Sequence, residues 1–390
     1  MADNFSDKLS RRQFLETGGV GLLGASVLRA DACSRQPREL TLYVGTYTSG
    51  KSEGIYGYRM DRASGALTQF SAFKSANPSF LTIDRSKRYL YAVNEISDYL
   101  GKPSGGVSAF AIDRVTGNLR WLNEQATGGA DPCHLTVDSR RRALLIANYT
   151  GGNVSVLPIR ADGTLGMVID VEQHEGSGVK EQQKDPHAHC VILDHSERHA
   201  LASDLGTDKV MIYRFDRSTG RLTPAKQPWA QLQPGAGPRH LALHPNGKFL
   251  YVINELDSTL AVFKYNELNG TLSQIETVST LPSDFSGVSY CADVHISSSG
   301  GFLYGSNRGH DSIVVFEIDR RTGKLKLIQH VSTQGKWPRN FTLDPTGRFL
   351  LVANQRTDNV VTFSIDAHTG HLTPTGMVEK IPSPVCLKFL

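Results

Sequence analysis

Along most of the chain, short apolar runs alternate with polar positions at a period of two, and no stretch keeps a 3.6-residue period long enough for a core helix. The runs repeat in a fixed order. A first strand, often opening after proline, is predicted at "PSFLTID" (78–84), "PCHLTVD" (132–138), "PHAHCVILD" (186–194), "PRHLALH" (238–244), "CADVHIS" (291–297), "PRNFTLD" (338–344) and "PVCLKFL" (384–390). Six of these lead through a polar turn into a second strand, as in "YLYAVNE" (89–95) and "FLYVINE" (249–255). Third strands end in a D-x-x-[ST]-G turn, as in "KVMIYRFDRSTGRL" (209–222), whose Asp and Gly suit a tight hairpin and whose Leu starts a fourth strand.

The openings recur every 46 to 54 residues, the length of a four-stranded meander with its loops. This predicts an all-β fold, a seven-bladed β-propeller with four antiparallel strands per blade. The C-terminal "PVCLKFL" has no second strand after it, and "TLYVGTY" (41–47) has no first strand before it. Together they complete one blade and close the ring, which removes an exposed sheet edge.

In a propeller the first strand of each blade lines the central channel and the second runs back beside it. Starts of first strands and ends of second strands therefore meet at one mouth. Those positions hold His134, the His187 and His189 pair, Arg239 and His240, then Asp204, Asn254 and Glu255, and Asn307 and Arg308. Buried ionisable groups cost several kcal/mol unless paired, so a polar funnel of this kind reads as a ligand site. The recurring Asn94, Asn148 and Asn354 suit loop caps. By contrast Arg239, Glu255, Arg308 and the histidine pair each depart from the repeat, which a purely structural device would not do.

Composition adds limits. Lys+Arg 42 against Asp+Glu 38 gives a net charge of +4, spread along the sequence, and this points to a small-molecule partner and not to nucleic acid. Four cysteines, Cys133, Cys190, Cys291 and Cys386, are far apart and are expected as buried thiols without disulfides. The N-terminus pairs Arg11 and Arg12 with Phe14-Leu15, a weakly apolar Gly-rich stretch, and small residues at Ala30 and Ala32. It resembles a twin-arginine export signal over residues 1–32, followed by a linker (33–38) and the propeller domain (39–390). Export machinery is then a partner, the periplasm the expected location, and Cys33 a candidate lipid anchor. Gly19, Gly21 and Gly24 spell G-x-G-x-x-G, but without a preceding strand they make no dinucleotide site.

The motifs "VGTYT", "PHAH", "SDLGTDKV", "GAGPRHLALHPNGKFLYVINEL" and "SNRGHDSIVVFEID" resemble the lactonase family of seven-bladed propellers, over about residues 38 to 390. That family includes the 6-phosphogluconolactonases of the cycloisomerase 2 type and the carboxy-muconate lactonizing enzyme. The resemblance implies a hydrolase of a sugar lactone or phospholactone that works without metal; no cofactor is expected, and the chain is expected to be a monomer. Lactone hydrolysis needs a base for water and positive groups for the oxyanion. The expected catalytic set is His187, His189, Glu255 and Arg239; a histidine titrating near neutrality is the easier base, and Glu255 would need burial to raise its pKa. Substrate contacts are expected from His240, Arg308, Asp204, Asn307, His134 and Asn254. His187-x-His189 also has the same-face spacing of a metal pair, but no motif fixes a third ligand. The competing reading is a non-catalytic exported propeller that binds a ligand or protein in the same funnel.

Overall fold

The computed structural model describes residues 38–140 and 142–390. The export segment, with Cys33 and the glycines at 19, 21 and 24, lies outside them. The described residues form seven four-stranded antiparallel sheets. In the first blade Pro384–Phe389 is innermost and pairs with Glu39–Thr46, Leu42 opposite Phe389 and Val44 opposite Leu387. The C-terminal strand thus closes the ring. The inner strands of blades two to seven are Leu81–Ile83, Pro132–Val137, Ala188–Leu193, Pro238–Leu243, Tyr290–Ile296 and Pro338–Leu343.

Second strands such as Tyr89–Asn94 and Phe249–Asn254 are buried at every position. Both of their faces pack on neighbouring blades, so they read as near-continuous apolar runs. The core is accordingly a set of wedges between blades. Between the fourth and fifth, Leu201, Val210 and Ile212 meet Leu250, Val252 and Phe263. Each such side chain contributes roughly 1.5–3 kcal/mol when fully buried.

The turns between third and fourth strands also tie blade to blade. Gly117, Gly163, Gly323 and Gly370 have positive φ, and their carbonyls accept the hydroxyls of Tyr43, Tyr91, Tyr251 and Tyr304 from the preceding blade. A side chain at Gly163 would place its Cβ 2.1 Å from the Tyr89 ring, so both the turn and the packing exclude one. The Leu after each turn is held as well: Gln227 bonds the backbone N and O of Leu272, and Gln329 those of Leu372.

Two strands differ from the sequence reading. The second blade's inner strand shrinks to Leu81–Ile83, because Asn77, with φ 40°, accepts Ser79 N and steers residues 78–80 off the ladder. In the third blade the fourth strand starts at Asp170 and not at Leu165. There the Asn123 side chain takes both the N (2.9 Å) and the O (2.8 Å) of Leu165, which staples that residue to the preceding blade. All four of Cys133, Cys190, Cys291 and Cys386 are buried free thiols, as expected.

Candidate active site

Each inner strand runs away from one mouth of the channel, so its first residues stand at that mouth beside the last residues of the second strand. Six inner strands carry a bulge or register shift there, between Pro132 and His134, Ala188 and Cys190, Pro238 and His240, Cys291 and Val294, Pro338 and Asn340, and Pro384 and Cys386. A bulge re-aims side chains, and here it lets two successive residues face the channel. Arg239 with His240 and Arg339 with Asn340 line one narrow space together with Ser79, Glu95 and Cys133.

Arg239, Glu255 and Arg308 converge as the sequence suggested. Arg239 Nε lies 2.8 Å from Glu255 Oε2, and an Arg308 terminal nitrogen lies 2.7 Å from the same oxygen. Backbone carbonyls fix the two guanidiniums: Arg239 donates to Ala292 O and Arg308 to Cys291 O (2.9 Å). Arg239 is only 2% exposed. Across the mouth Tyr47 donates to Glu95 Oε1 at 2.8 Å, and Arg339 stands 4.0 Å from that oxygen with its guanidinium over the Tyr47 ring. The funnel thus sets three guanidiniums against two carboxylates. Several of its buried polar atoms make no hydrogen bond, Ser79 Oγ, Glu95 Oε2 and Arg308 Nε among them, while Arg239 Nε meets Glu255 only as an ion pair.

The electrostatics correct one expectation. Burial does push the Glu255 carboxyl up, but Arg308, Arg239 and Arg339 outweigh it and hold the group below the usual carboxylate range. Glu255 is therefore an ionised anchor for the arginines and a poor base. Arg308 is itself pushed down to about 10, by burial and by Arg239 and Arg339, against the pull of Glu255.

The histidines form a column beside this cluster. His187 stacks on Tyr149 with centroids 4.4 Å apart, and His189 meets the same ring edge-on at 5.4 Å. His189 then contacts His240 at 5.4 Å, and His240 contacts His134 at 5.5 Å. Burial, followed by Arg239 and His240, holds His189 well below the ordinary imidazole range, so it does not titrate near neutrality as expected. His134 is depressed in the same way, chiefly by burial, and His240 is pushed down to about 4 by burial and Arg239. His187 Nδ1 is 3.0 Å from the Tyr149 carbonyl, which can only accept, so the neutral tautomer of His187 that fits this contact has its proton on Nδ1 and its lone pair on Nε2. By the same logic His240 donates from Nδ1 to Asp293 at 2.7 Å. Asp293 also receives His295 Nε2 (3.0 Å) and the Asn340 amide, which makes it the buried hub under the column.

Three expected substrate contacts are placed elsewhere. The Asp204 carboxylate is taken up by His174 Nδ1 (2.5 Å), His187 N (3.0 Å) and Thr207 N (2.9 Å). Asn307 bonds Thr280 on both sides, and Asn254 donates to Thr259 at 2.9 Å. These three cap loops, the role read for Asn94, Asn148 and Asn354. His134 and His240 lie deeper than the arginines, at the wall toward the opposite mouth. As for a metal pair, Tyr149 packs on both His187 and His189, and among the described residues no three His, Cys, Asp or Glu side chains gather to hold an ion. Glu95, Arg339, Tyr47 and Asp293 were missing from the expected set. The first two stood at the same strand ends as Glu255 and Arg239, which was their signal; Asp293 hid inside a run that looked like an ordinary strand.

Fold and funnel together define a propeller hydrolase site with fixed cations and neutral imidazoles. The family model "Lactonase, 7-bladed beta-propeller" matches residues 41–389. The chain is 40% identical to the 6-phosphogluconolactonase of Bacillus subtilis (strain 168) over 349 residues, 89% of this chain and 97% of that one. It is also 36% identical to the 6-phosphogluconolactonase of Formosa agariphila, over 78% of this chain and 86% of that protein. Among solved structures it superposes on the periplasmic gluconolactonase of Pseudomonas aeruginosa with a TM-score of 0.86, at 36% identity, covering 90% of this chain and 99% of the other. The chain belongs to the lactonase family of seven-bladed β-propellers, and its activity class is lactone hydrolysis.

Proposed function

We propose that this chain is an exported, monomeric lactonase that opens unphosphorylated sugar lactones, with His187 as the base and Arg239 and Arg308 as the oxyanion holders. The observation that carries this reading is the convergence at one mouth of three guanidiniums, Arg239, Arg308 and Arg339, on only two carboxylates, Glu255 and Glu95. Preorganised positive charge in excess of its counterions marks where a ligand's developing negative charge belongs.

In the step proposed, His187 Nε2 accepts a proton from water as its oxygen attacks the lactone carbonyl carbon. The carbonyl oxygen becomes an oxyanion between the two guanidiniums, whose positions are set by Glu255 and two backbone carbonyls. The intermediate collapses by breaking the bond to the ring oxygen, which takes the proton back from His187 and leaves as a hydroxyl. The product carboxylate meets a funnel with one surplus positive charge. His189, neutral through its depressed pKa, would face sugar hydroxyls as a hydrogen-bonding group, with His240 and His134 behind it.

Export rests on Arg11-Arg12 and the apolar stretch after them, and the likeness to a periplasmic gluconolactonase supports it. Fractionation tests it directly: the wild-type chain is expected in the periplasm and an Arg11→Lys/Arg12→Lys variant in the cytoplasm. An unprocessed wild-type chain in the cytoplasm would defeat it. For the reaction, hydrolysis of glucono-δ-lactone and of 6-phosphogluconolactone by the purified chain is followed with a pH indicator, beside a His187→Ala variant. Faster turnover of the unphosphorylated lactone, lost in the variant, is expected. Preference for the phosphorylated lactone would overturn the substrate assignment, and an active variant would overturn the base.

A further inference from the structure

The face of the ring opposite the catalytic mouth carries the turns between first and second strands and the D-x-x-[ST]-G turns. Basic residues that are dispersed in the sequence are gathered there by folding. Arg140, Arg142, Arg198, Arg214, Arg217 and Arg221, from the third and fourth blades, line an open groove of about 1230 Å³. Carboxylates neutralise only part of it. Glu197 pairs with Arg217 at 2.7 Å and Asp170 stands 3.7 Å from Arg221, while Asp216 is taken up by its own turn through Ser218. Among the described residues Arg140, Arg142, Arg198 and Arg214 have no carboxylate partner, and all four are exposed. The expectation of evenly spread charge therefore fails at this one place.

Two further features share the face. Leu268, at the tip of the fifth blade's turn and on the wall of the groove, is 72% exposed, and Val115 at the equivalent tip of the second blade is 89% exposed. The chain also enters the propeller here, since Arg38 O accepts the backbone N of Arg62 in the first blade's turn. Arg38 thus stands on the arginine side of the ring, and the catalytic mouth points the other way.

We infer that this face docks on a bilayer surface rich in anionic phospholipid headgroups. Guanidiniums suit phosphate oxygens, to which they can donate two parallel bonds. Aliphatic tips beside basic side chains favour a bilayer over a soluble polyanion, because only the bilayer offers an apolar layer beneath the phosphates. Docking in this pose leaves the lactone funnel open to solvent.

The test is sedimentation of the full chain with phosphatidylcholine vesicles, with and without phosphatidylglycerol, at low and high salt. Binding is expected only with the anionic lipid, and it is expected to weaken with salt. In an Arg142→Gln/Arg198→Gln/Arg214→Gln variant the vesicle partition coefficient is expected to drop about a hundredfold, from the attraction typical of three basic residues near such a surface. A Leu268→Asp variant is expected to weaken it further, and both should keep wild-type lactone hydrolysis and melting temperature. Equal binding to neutral vesicles, or wild-type binding by the triple variant, overturns the inference, the latter by moving the contact to the N-terminal segment. Capture of soluble polyphosphate without vesicle binding overturns it too.

Discussion

The two faces of this propeller are built from the same strands yet obey different rules. On the face away from the catalytic mouth, aspartates recur in equivalent turns. Asp84, Asp138, Asp194 and Asp344 each accept two backbone N–H groups from the residues that open the second strand. At the catalytic mouth the equivalent positions diverge: Glu255 is gripped by two arginines, Glu95 by a tyrosine and a more distant arginine, and in the third blade Tyr149 stacks on His187. Repetition marks what every blade needs in order to fold. Divergence marks what the ring needs only once, and that is the reaction.

Breaking the divergent side should cost the most activity. Arg239→Met removes one oxyanion donor while Arg308 still holds Glu255, so kcat/KM for lactone hydrolysis is expected to fall by about 10²–10³-fold. The variant should still give a cooperative melt, because the wedges between blades are untouched. An Arg239→Met protein with wild-type kcat/KM would mean that the catalytic mouth is placed wrongly.

Breaking the repeated side should do the reverse. Asp194→Ala strips partners from two backbone N–H groups, from the His199 ring and from the Tyr265 hydroxyl, all at a buried site. Orphaning several buried donors costs about 1–3 kcal/mol each where water cannot reach them, and relaxation will recover part of that. Denaturant unfolding should show a loss of a few kcal/mol, with kcat/KM of the folded fraction unchanged. A parallel fall in kcat would join the two faces functionally and end the contrast.

The same contrast explains what the sequence disclosed. The seven blades and the closure by residues 384–390 were legible because repeats and alternation are local signals, and so were Arg239, Glu255 and Arg308, which break a repeat at strand ends. The reach of a side chain was not legible. Asp204 sits at a strand end like Glu255, but His174, from the loop after the third blade's short outer strand, turns its carboxylate inward. Asp293 lies three positions into its strand, and only the packing of His240, His295 and Asn340 around it reveals a hub. Protonation was equally hidden, since the depression of His189 comes first from burial and then from Arg239 and His240 of the next blade, and the low pKa of Glu255 from arginines of its own and following blades.

Acid exposes the buried column. His240 is pushed from 6.5 down to about 4, with His134 and His189 also depressed. Each folded-state pKa lies below its unfolded value, so the unfolded chain binds more protons in that window. Stability is therefore full above about pH 6.5 and is lost as pH falls toward about 4. Unfolding free energy measured against pH should climb through this range, and a His134→Asn variant should flatten the slope by up to one proton. An unchanged slope would show that His134 titrates normally and does not belong to the dry wall of the funnel.

The smallest effect belongs to the exposed turns of the opposite face. Asp216 is held down to about 2 by the Ser218 hydroxyl and backbone and by Thr219, without burial. Its folded pKa is below the ordinary value of 3.8, so its contribution is complete above that value and disappears as pH falls through about 2. Asp216→Asn keeps an oxygen that can accept the turn N–H groups, so it should leave neutral-pH stability nearly unchanged and remove only this acid-side slope. Comparing acid melts of Asp216→Asn with those of His134→Asn separates the two faces by pH alone. The turn variant should differ from wild type only below about pH 4 and the funnel variant mainly above it, because a solvated carboxylate and a buried imidazole titrate on opposite sides of that point.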